Sequence, residues 1–197
     1  IIIVMIPTIS KIPETMEYAE QVKQLDRLAN KKMILAVSGG PDSMAMLLAA
    51  QHVGHYIKKN FIVANFSHGL RPLEDELERA LVEEVARNCG FNFVSGIGKV
   101  LAMEAAAREA RYNFLIKVAL ENNANALLTA HTRNDQAETV LLRLVRGTGL
   151  KGVGSIREIS SRKVAGNEIF LLRPMLGVTR DQTEAICSAS NVVPARD

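Results

Sequence analysis

Short apolar runs alternate with longer amphipathic stretches along the chain. Met33–Val37 (MILAV), Phe61–Phe66 (FIVANF), Phe91–Val94 (FNFV), Ala124–Ala130 (ANALLTA) and Glu168–Leu172 (EIFLL) are four to seven residues long. Apolar runs of that length, bounded by polar or glycine-containing turns, predict buried strands. Between them lie helical patterns. Glu14–Asn30 places Met16, Ala19, Val22, Leu25 and Leu28 at three-residue steps. Asp42–Ile57, Leu73–Asn88, Leu101–Asn122, Asn134–Val145 and Thr179–Ser190 read as further helices. Gly147–Gly166 reads as loop. Strands alternating with helices of ten or more residues predict an α/β domain with a doubly wound, mostly parallel sheet of about five strands and helices on both faces. Residues 1–30 form a lead-in and a helix, and residues 31–197 the domain itself. In such sheets ligands bind beyond the carboxyl ends of the strands.

Composition narrows the class. The chain has 197 residues, enough for one large domain with a substantial core, and 48% of them are hydrophobic. No Trp and few aromatics argue against a stacking platform for single-stranded nucleic acid. The formal charge of +3 is uneven: residues 131–197 carry 10 basic and 7 acidic side chains, whereas the remainder balances. From Arg143 to Arg173 there are seven basic residues and two acidic ones. A surface of that kind suits a polyanion such as ATP or RNA, or is simply a solvated face. Cys89 and Cys187 stand far apart with no metal-ligand spacing, so both are expected reduced in a cytoplasmic protein. The opening IIIVMIPTIS is too short for a membrane span and lacks a basic flank, so it is expected to be neither anchor nor targeting signal.

The chemistry concentrates at the predicted strand ends. After the first strand comes Ser38-Gly39-Gly40-Pro41-Asp42-Ser43. Two glycines allow a tight turn and close backbone approach, and the helix that follows aims its free N–H groups and positive dipole end at the turn. Pro41 is compatible with a first helical position. Asp42 would repel phosphates unless a divalent cation lay between them, which implies Mg²⁺. The alternative is a helix capped by Asp42 or Ser38. Arg108 and Arg111 are three apart on one helical face, suited to phosphates or to surface ion pairs with Glu104 and Glu109. Asp135 and Glu138 are also three apart, near a helix start past a strand end. They suit an ammonium group or serve only as acids placed well against the helix dipole.

These segments resemble a known family. ILAVSGGPDSMAMLL (Ile34–Leu48), NFSHGLR (Asn65–Arg71), EAAAREARYNFL (Glu104–Leu115), LLTAHTRNDQAETVLLRLVRGTGLKGV (Leu127–Val153) and LLRPML (Leu171–Leu176) together resemble the tRNA(Ile)-lysidine synthases. Those enzymes belong to the PP-loop ATP pyrophosphatases, whose fold is of the adenine nucleotide alpha hydrolase-like type. The resemblance implies a ligase that joins free L-lysine to C2 of the wobble cytidine of an isoleucine tRNA with a CAU anticodon. ATP adenylates the base, pyrophosphate leaves, and lysine displaces AMP. It further implies ATP contacts from Ser38, Gly39, Gly40, Pro41, Asp42, Ser43, Arg108 and Arg111, and lysine contacts from Asp135, Glu138 and Arg173. Catalytic roles fall to Asp42, Arg111, His131 and Asp135, with Mg²⁺ at Asp42. His68 and Arg71 follow the second strand and could line the nucleotide site.

ATP, lysine and tRNA are the expected partners, no membrane is expected, and a homodimer stays open beside a monomer. The family pattern continues past Pro194–Asp197 into tRNA-binding domains that are expected to be absent here. Another PP-loop amidotransferase or thiolase, or a non-catalytic ATP-binding module, stays open as well. The missing CxxC weighs against the thiolases that hold iron–sulfur clusters.

Overall fold

The alternation of buried residues along the central strands dictates two helical layers. In β1 (Lys32–Ala36), Met33 and Leu35 enter one core cluster while Ile34 enters another. In β2 (Phe61–Ser67), Phe61 and Val63 join the first and Ile62 and Ala64 the second. Successive side chains point to opposite faces of a strand, so both faces of the sheet must be covered. The structure is a computed structural model describing residues 32–52, 60–98, 104–147 and 154–195. The predicted helix Glu14–Asn30 lies outside the described residues.

The remaining elements are α1 (Pro41–Ala50), α2 (Pro72–Asn88), β3 (Asn92–Ile97), α3 (Glu104–Glu121), β4 (Ala124–Leu128), α4 (Arg133–Val145), β5 (Ile159–Val164), β6 (Asn167–Leu172) and α5 (Arg180–Ala189). The sheet order is β3-β2-β1-β4-β6-β5. All neighbours run parallel except β5, which pairs antiparallel with β6 at one edge. Helices α1, α2 and α5 supply the first core cluster, and α3 supplies the second through Tyr112, Leu115, Ile116 and Ala119.

The α/β class and the mostly parallel sheet with helices on both faces are therefore as expected. The sheet has six strands among the described residues rather than about five. The extra one, β5, falls inside the stretch read as loop. Its sequence ISSRKV is polar and mostly exposed, as befits an edge strand with one neighbour, so it carries no hydrophobic period. Its pairing comes from the hairpin turn at Ala165 and Gly166, both with positive φ, a twist that suits a two-residue connection.

From Ser43 to Ala50 every residue of α1 is buried. The helix lies between the sheet, α2 and α5, so its Met, Leu and Ala side chains have apolar partners all round. Each large one contributes about 1.5–3 kcal/mol of burial. Helix α4 is the opposite case, with no buried residue. The strand order reverses between β1 and β4, and the crevice at that switch point is where this class of sheet receives ligands.

Candidate functional site

The chain leaves β1 under tight control. Asn65 on β2, buried, donates its side-chain amide to the Val37 carbonyl at 2.9 Å. Gly39 then takes φ +107°, a conformation side chains rarely adopt, and a Cβ there would meet Glu78 at 3.4 Å. Gly40 is the N-cap of α1 with no side-chain cap, and Pro41 occupies the first turn. The alternative in which Ser38 or Asp42 merely caps the helix is thus not what is observed. Instead the Ser43 hydroxyl fills the turn. It accepts from the Ser38 and Gly39 amides, both at 3.2 Å, and donates to the Gly40 carbonyl at 3.0 Å. The amides of Asp42 and Ser43 have no intrahelical acceptor and face outward from the helix start.

Asp42 points away from the cap to helix α5. The Thr183 hydroxyl, fully buried, donates to Asp42 Oδ1 at 2.6 Å. Burial raises the Asp42 carboxyl above its ordinary value; the Thr183 hydrogen bond opposes this, and Asp135 adds to it. Compensation comes from Arg180, at the first helical position of α5. Its guanidinium lies 3.9 Å from Asp42, 3.4 Å from Asp135 and 3.1 Å from Glu138. The two acids expected to hold an ammonium group therefore already share a cation. Asp135, the third residue of α4, also closes a capping box, accepting from the Thr132 amide at 2.7 Å. Placement at a helix start and approach to a cation both hold for this residue.

On the far side stand the arginines. Arg111 is half-buried, and desolvation is the first cause that pulls its guanidinium below its ordinary value, with Arg108 pushing the same way. Arg108 lies 5.2 Å from the Tyr112 ring centroid, a cation–π distance. Neither pairs with Glu109 or with any other described carboxylate. Arg173 donates to the Arg157 carbonyl at 2.7 Å and to the Ser160 hydroxyl at 3.1 Å. His131 Nδ1 meets the Thr129 hydroxyl at 2.9 Å. Burial, then Arg173, push its imidazolium down to about 4, so the ring is neutral at pH 7.

A cavity of about 790 Å³ joins these parts, lined by Ser38, Gly40, Pro41, Asp42 and Ser43, by Arg111 and Tyr112, and by His131 and Asp135. That volume is ordinary for a cofactor-sized ligand. Glu138, Arg108 and Arg173 adjoin it through Arg180, Tyr112 and His131. Arg71 instead pairs with Glu78 at 3.7 Å. His68 is pulled below its usual value by burial and then by Arg111, which brings it toward the arginine side. Among the described residues no cluster of three His, Cys, Asp or Glu could hold a metal by itself. No described helix is long and apolar enough to cross a membrane.

Reading the sequence alone missed Asn65, Tyr112, Arg180, Thr183 and Glu184, the last a carboxylate that lines the cavity and helps to raise Asp42. Only Arg180 left a local signal: a cation at a helix N-terminus runs against the dipole and calls for nearby acids.

A doubly wound sheet with a glycine turn and a half-buried arginine at its switch point defines a nucleotide-binding α/β protein. More narrowly, the chain belongs to the PP-loop domain family, which it matches over residues 14–197. It is 43% identical over 176 residues to a tRNA(Ile)-lysidine synthase of Thermus thermophilus, covering 85% of this chain and 32% of that protein. It is 35% identical over 178 residues to one from Dehalococcoides mccartyi, covering 86% and 38% respectively. The chain thus spans only about a third of those two relatives. Among solved structures, the U34-tRNA thiolase of Methanococcus maripaludis is similar at TM-score 0.71, covering 93% of this chain and 65% of that one. At 17% identity that likeness speaks to the fold alone.

Proposed function

We propose that this domain adenylates the wobble cytidine of a CAU-anticodon isoleucine tRNA with ATP and joins free lysine to it, forming lysidine. The observation that carries this reading is the meeting in one cavity of three unlike parts: the Ser38–Ser43 turn, the half-buried Arg111, and the Asp135 carboxylate beside Glu138. The two curated relatives share the name of that activity.

Each step uses groups already described. The turn and the start of α1 would cradle the β and γ phosphates, once the Ser43 hydroxyl releases the Ser38 and Gly39 amides to them. The cytosine O2 attacks the α-phosphorus, the bond to the bridging oxygen breaks, and pyrophosphate leaves. Arg111, aided by Arg108, stabilises the charge gathering on the transferred phosphoryl group in a partly dry site. The lysine ε-amine then attacks C2, the C2–O bond breaks, and AMP leaves.

Asp135 and Glu138 would take the incoming ammonium in place of the Arg180 guanidinium, and Arg173 the lysine carboxylate. The ammonium must also shed a proton, since its ordinary pKa is about 10.4. Asp42 fits a Mg²⁺ ion: its burial-raised carboxyl gains from a cation, and one carboxylate plus substrate phosphates is a common Mg²⁺ ligand set. The ion would neutralise the departing pyrophosphate.

The decisive experiment is mass analysis of the tRNA after incubation with the chain, ATP, Mg²⁺ and lysine. A lysine adduct on cytidine is expected, and Asp42→Asn should abolish it. Pyrophosphate release that required ammonia or a sulfur donor, or ATP binding with no turnover, would replace this reading with one of its rivals.

A further inference from the structure

Tyr112 lines the nucleotide cavity. Next to it, a groove of about 760 Å³ runs between α3 and edge strand β5, lined by Ile116, Lys117, Leu120, Glu121, Arg162 and Lys163 among others. Arg162 links the two: it projects from β5 so that its guanidinium lies 5.2 Å from the Tyr112 ring centroid, matching Arg108. A line of cations therefore leads from Lys163 and Arg162 in the groove, past Tyr112, to Arg108 and Arg111 at the cavity.

No carboxylate pairs with Arg108, Arg111, Arg162, Lys163 or Arg173 among the described residues. Lys117 pairs with Glu121, at 3.8 Å, and both are exposed. Elsewhere the fold pairs its arginines readily, as on α2, where Arg79 bridges Glu76 and Glu83 and Arg87 also reaches Glu83. The cost of crowding cations shows in Arg173, held below its ordinary value by burial and then by Arg108 and Arg162.

An anion is the natural complement, and the groove limits which one. ATP is served by the loop and by Arg111, whereas Arg162 and Lys163 sit on the groove side of Tyr112. Ile116, Leu120 and Val164 give the groove an apolar wall beside its charges. A chain of phosphodiesters with sugars and bases between them matches charged and apolar positions in alternation; a free phosphate would leave the apolar wall unused.

We propose that the α3–β5 groove is the entry path for the single-stranded RNA segment carrying the target nucleotide, and that Arg162 grips a phosphate next to that nucleotide. The proposal rests on the reading above that the substrate is RNA. Phosphate contacts of this kind fix register and position without reading sequence. Arg162 is a positioning residue, and the stacked, planar guanidinium suits a bidentate grip.

The test measures binding of an RNA hairpin with a CAU loop, and separately of ATP, across a salt series for the chain and its variants. Arg162→Gln with Lys163→Gln should weaken RNA binding and make the plot of log affinity against log salt shallower, by about 0.7 per lost single-strand contact. In turnover the KM for RNA should rise while the KM for ATP holds. Arg162→Lys should keep the salt slope, and Arg162→Met, which preserves packing on Tyr112, should not. RNA affinity and slope unchanged in the double variant would overturn the proposal, as would a loss confined to ATP affinity. Failure of the wider reading looks different: no lysine adduct forms, yet RNA binding still depends on Arg162. A chain that binds no hairpin at all overturns the groove.

Discussion

Burial in the cavity wall and the guanidiniums of Arg173, Arg108 and Arg111 push the His131 imidazolium down to about 4, against a weaker pull from Asp135. The unfolded chain takes up that proton near pH 6.5, its ordinary value. Between these two values the unfolded state holds more protons, so stability falls as pH drops through the window and is fully present above it. His131→Gln can still hydrogen-bond the Thr129 hydroxyl but cannot titrate. Urea midpoints at about pH 7 and pH 5 should therefore differ less in the variant than in the parent chain. Equal losses would place the acid sensitivity at another group. A bound triphosphate should raise the His131 value, because it answers the arginines that lower it.

The same residue shows what one-dimensional reading can reach. Its position past a strand end was legible, but its neutral state was not, because Arg173 and Arg108 come to it from other elements. Arg180 left a local signal at its helix start, but no sign of its partners: its three carboxylates lie on α1 and α4, with Asp135 45 residues away along the chain. The Ser38–Ser43 turn could be located because glycine conformation and helix-end dipoles are local properties.

At the scale of elements, the inner parallel strands β1, β2 and β4 were legible because they are buried on both faces and so read as continuous apolar runs. Strand β5 was not, since an edge strand held by one neighbour needs no hydrophobic period. Helix α4 raises a sharper question, because its capping box and the expected ammonium site share Asp135. Substitution separates the two roles. In Asp135→Asn the amide oxygen can still accept from the Thr132 amide, and Asn caps helices about as well as Asp. Folding stability should stay within about 0.5 kcal/mol of the parent, while Asp135→Ala should cost about 1 kcal/mol. The KM for lysine should rise by roughly tenfold or more in both, since a hydrogen bond to a charged group contributes about 1.5–3 kcal/mol. Urea unfolding and lysine-dependent pyrophosphate release read out the two effects. A KM for lysine that stays put in Asp135→Asn would leave this carboxylate with a capping role alone.

For the molecule as a whole, the site depends on the last helix folding back over the first. Helix α5 packs on α1, and the Thr183 hydroxyl reaches Asp42 across 141 residues of sequence. The Cys187 thiol approaches the Pro41 carbonyl at 3.5 Å from the same helix, and the Ala195 amide donates to Gly39 at 3.0 Å just after it. The last helix thus holds the nucleotide turn, so ligand binding should be tied to stability through Thr183. Thr183→Val keeps the shape and removes the donor. Asp42 then loses its one buried hydroxyl partner, which should cost about 1–3 kcal/mol and raise its carboxyl further. Saturation with ATP and Mg²⁺ at about a hundred times Kd should stabilise the parent by about 2.7 kcal/mol. At the same ligand concentration the Val variant should gain less, because Asp42 enters the complex less readily as a carboxylate, and Thr183→Ser should behave as the parent. Thermal melts with and without ligand measure both quantities. If Thr183→Val lost stability but kept the full ligand-induced rise, α5 would be support for α1 alone, with no part in tuning Asp42.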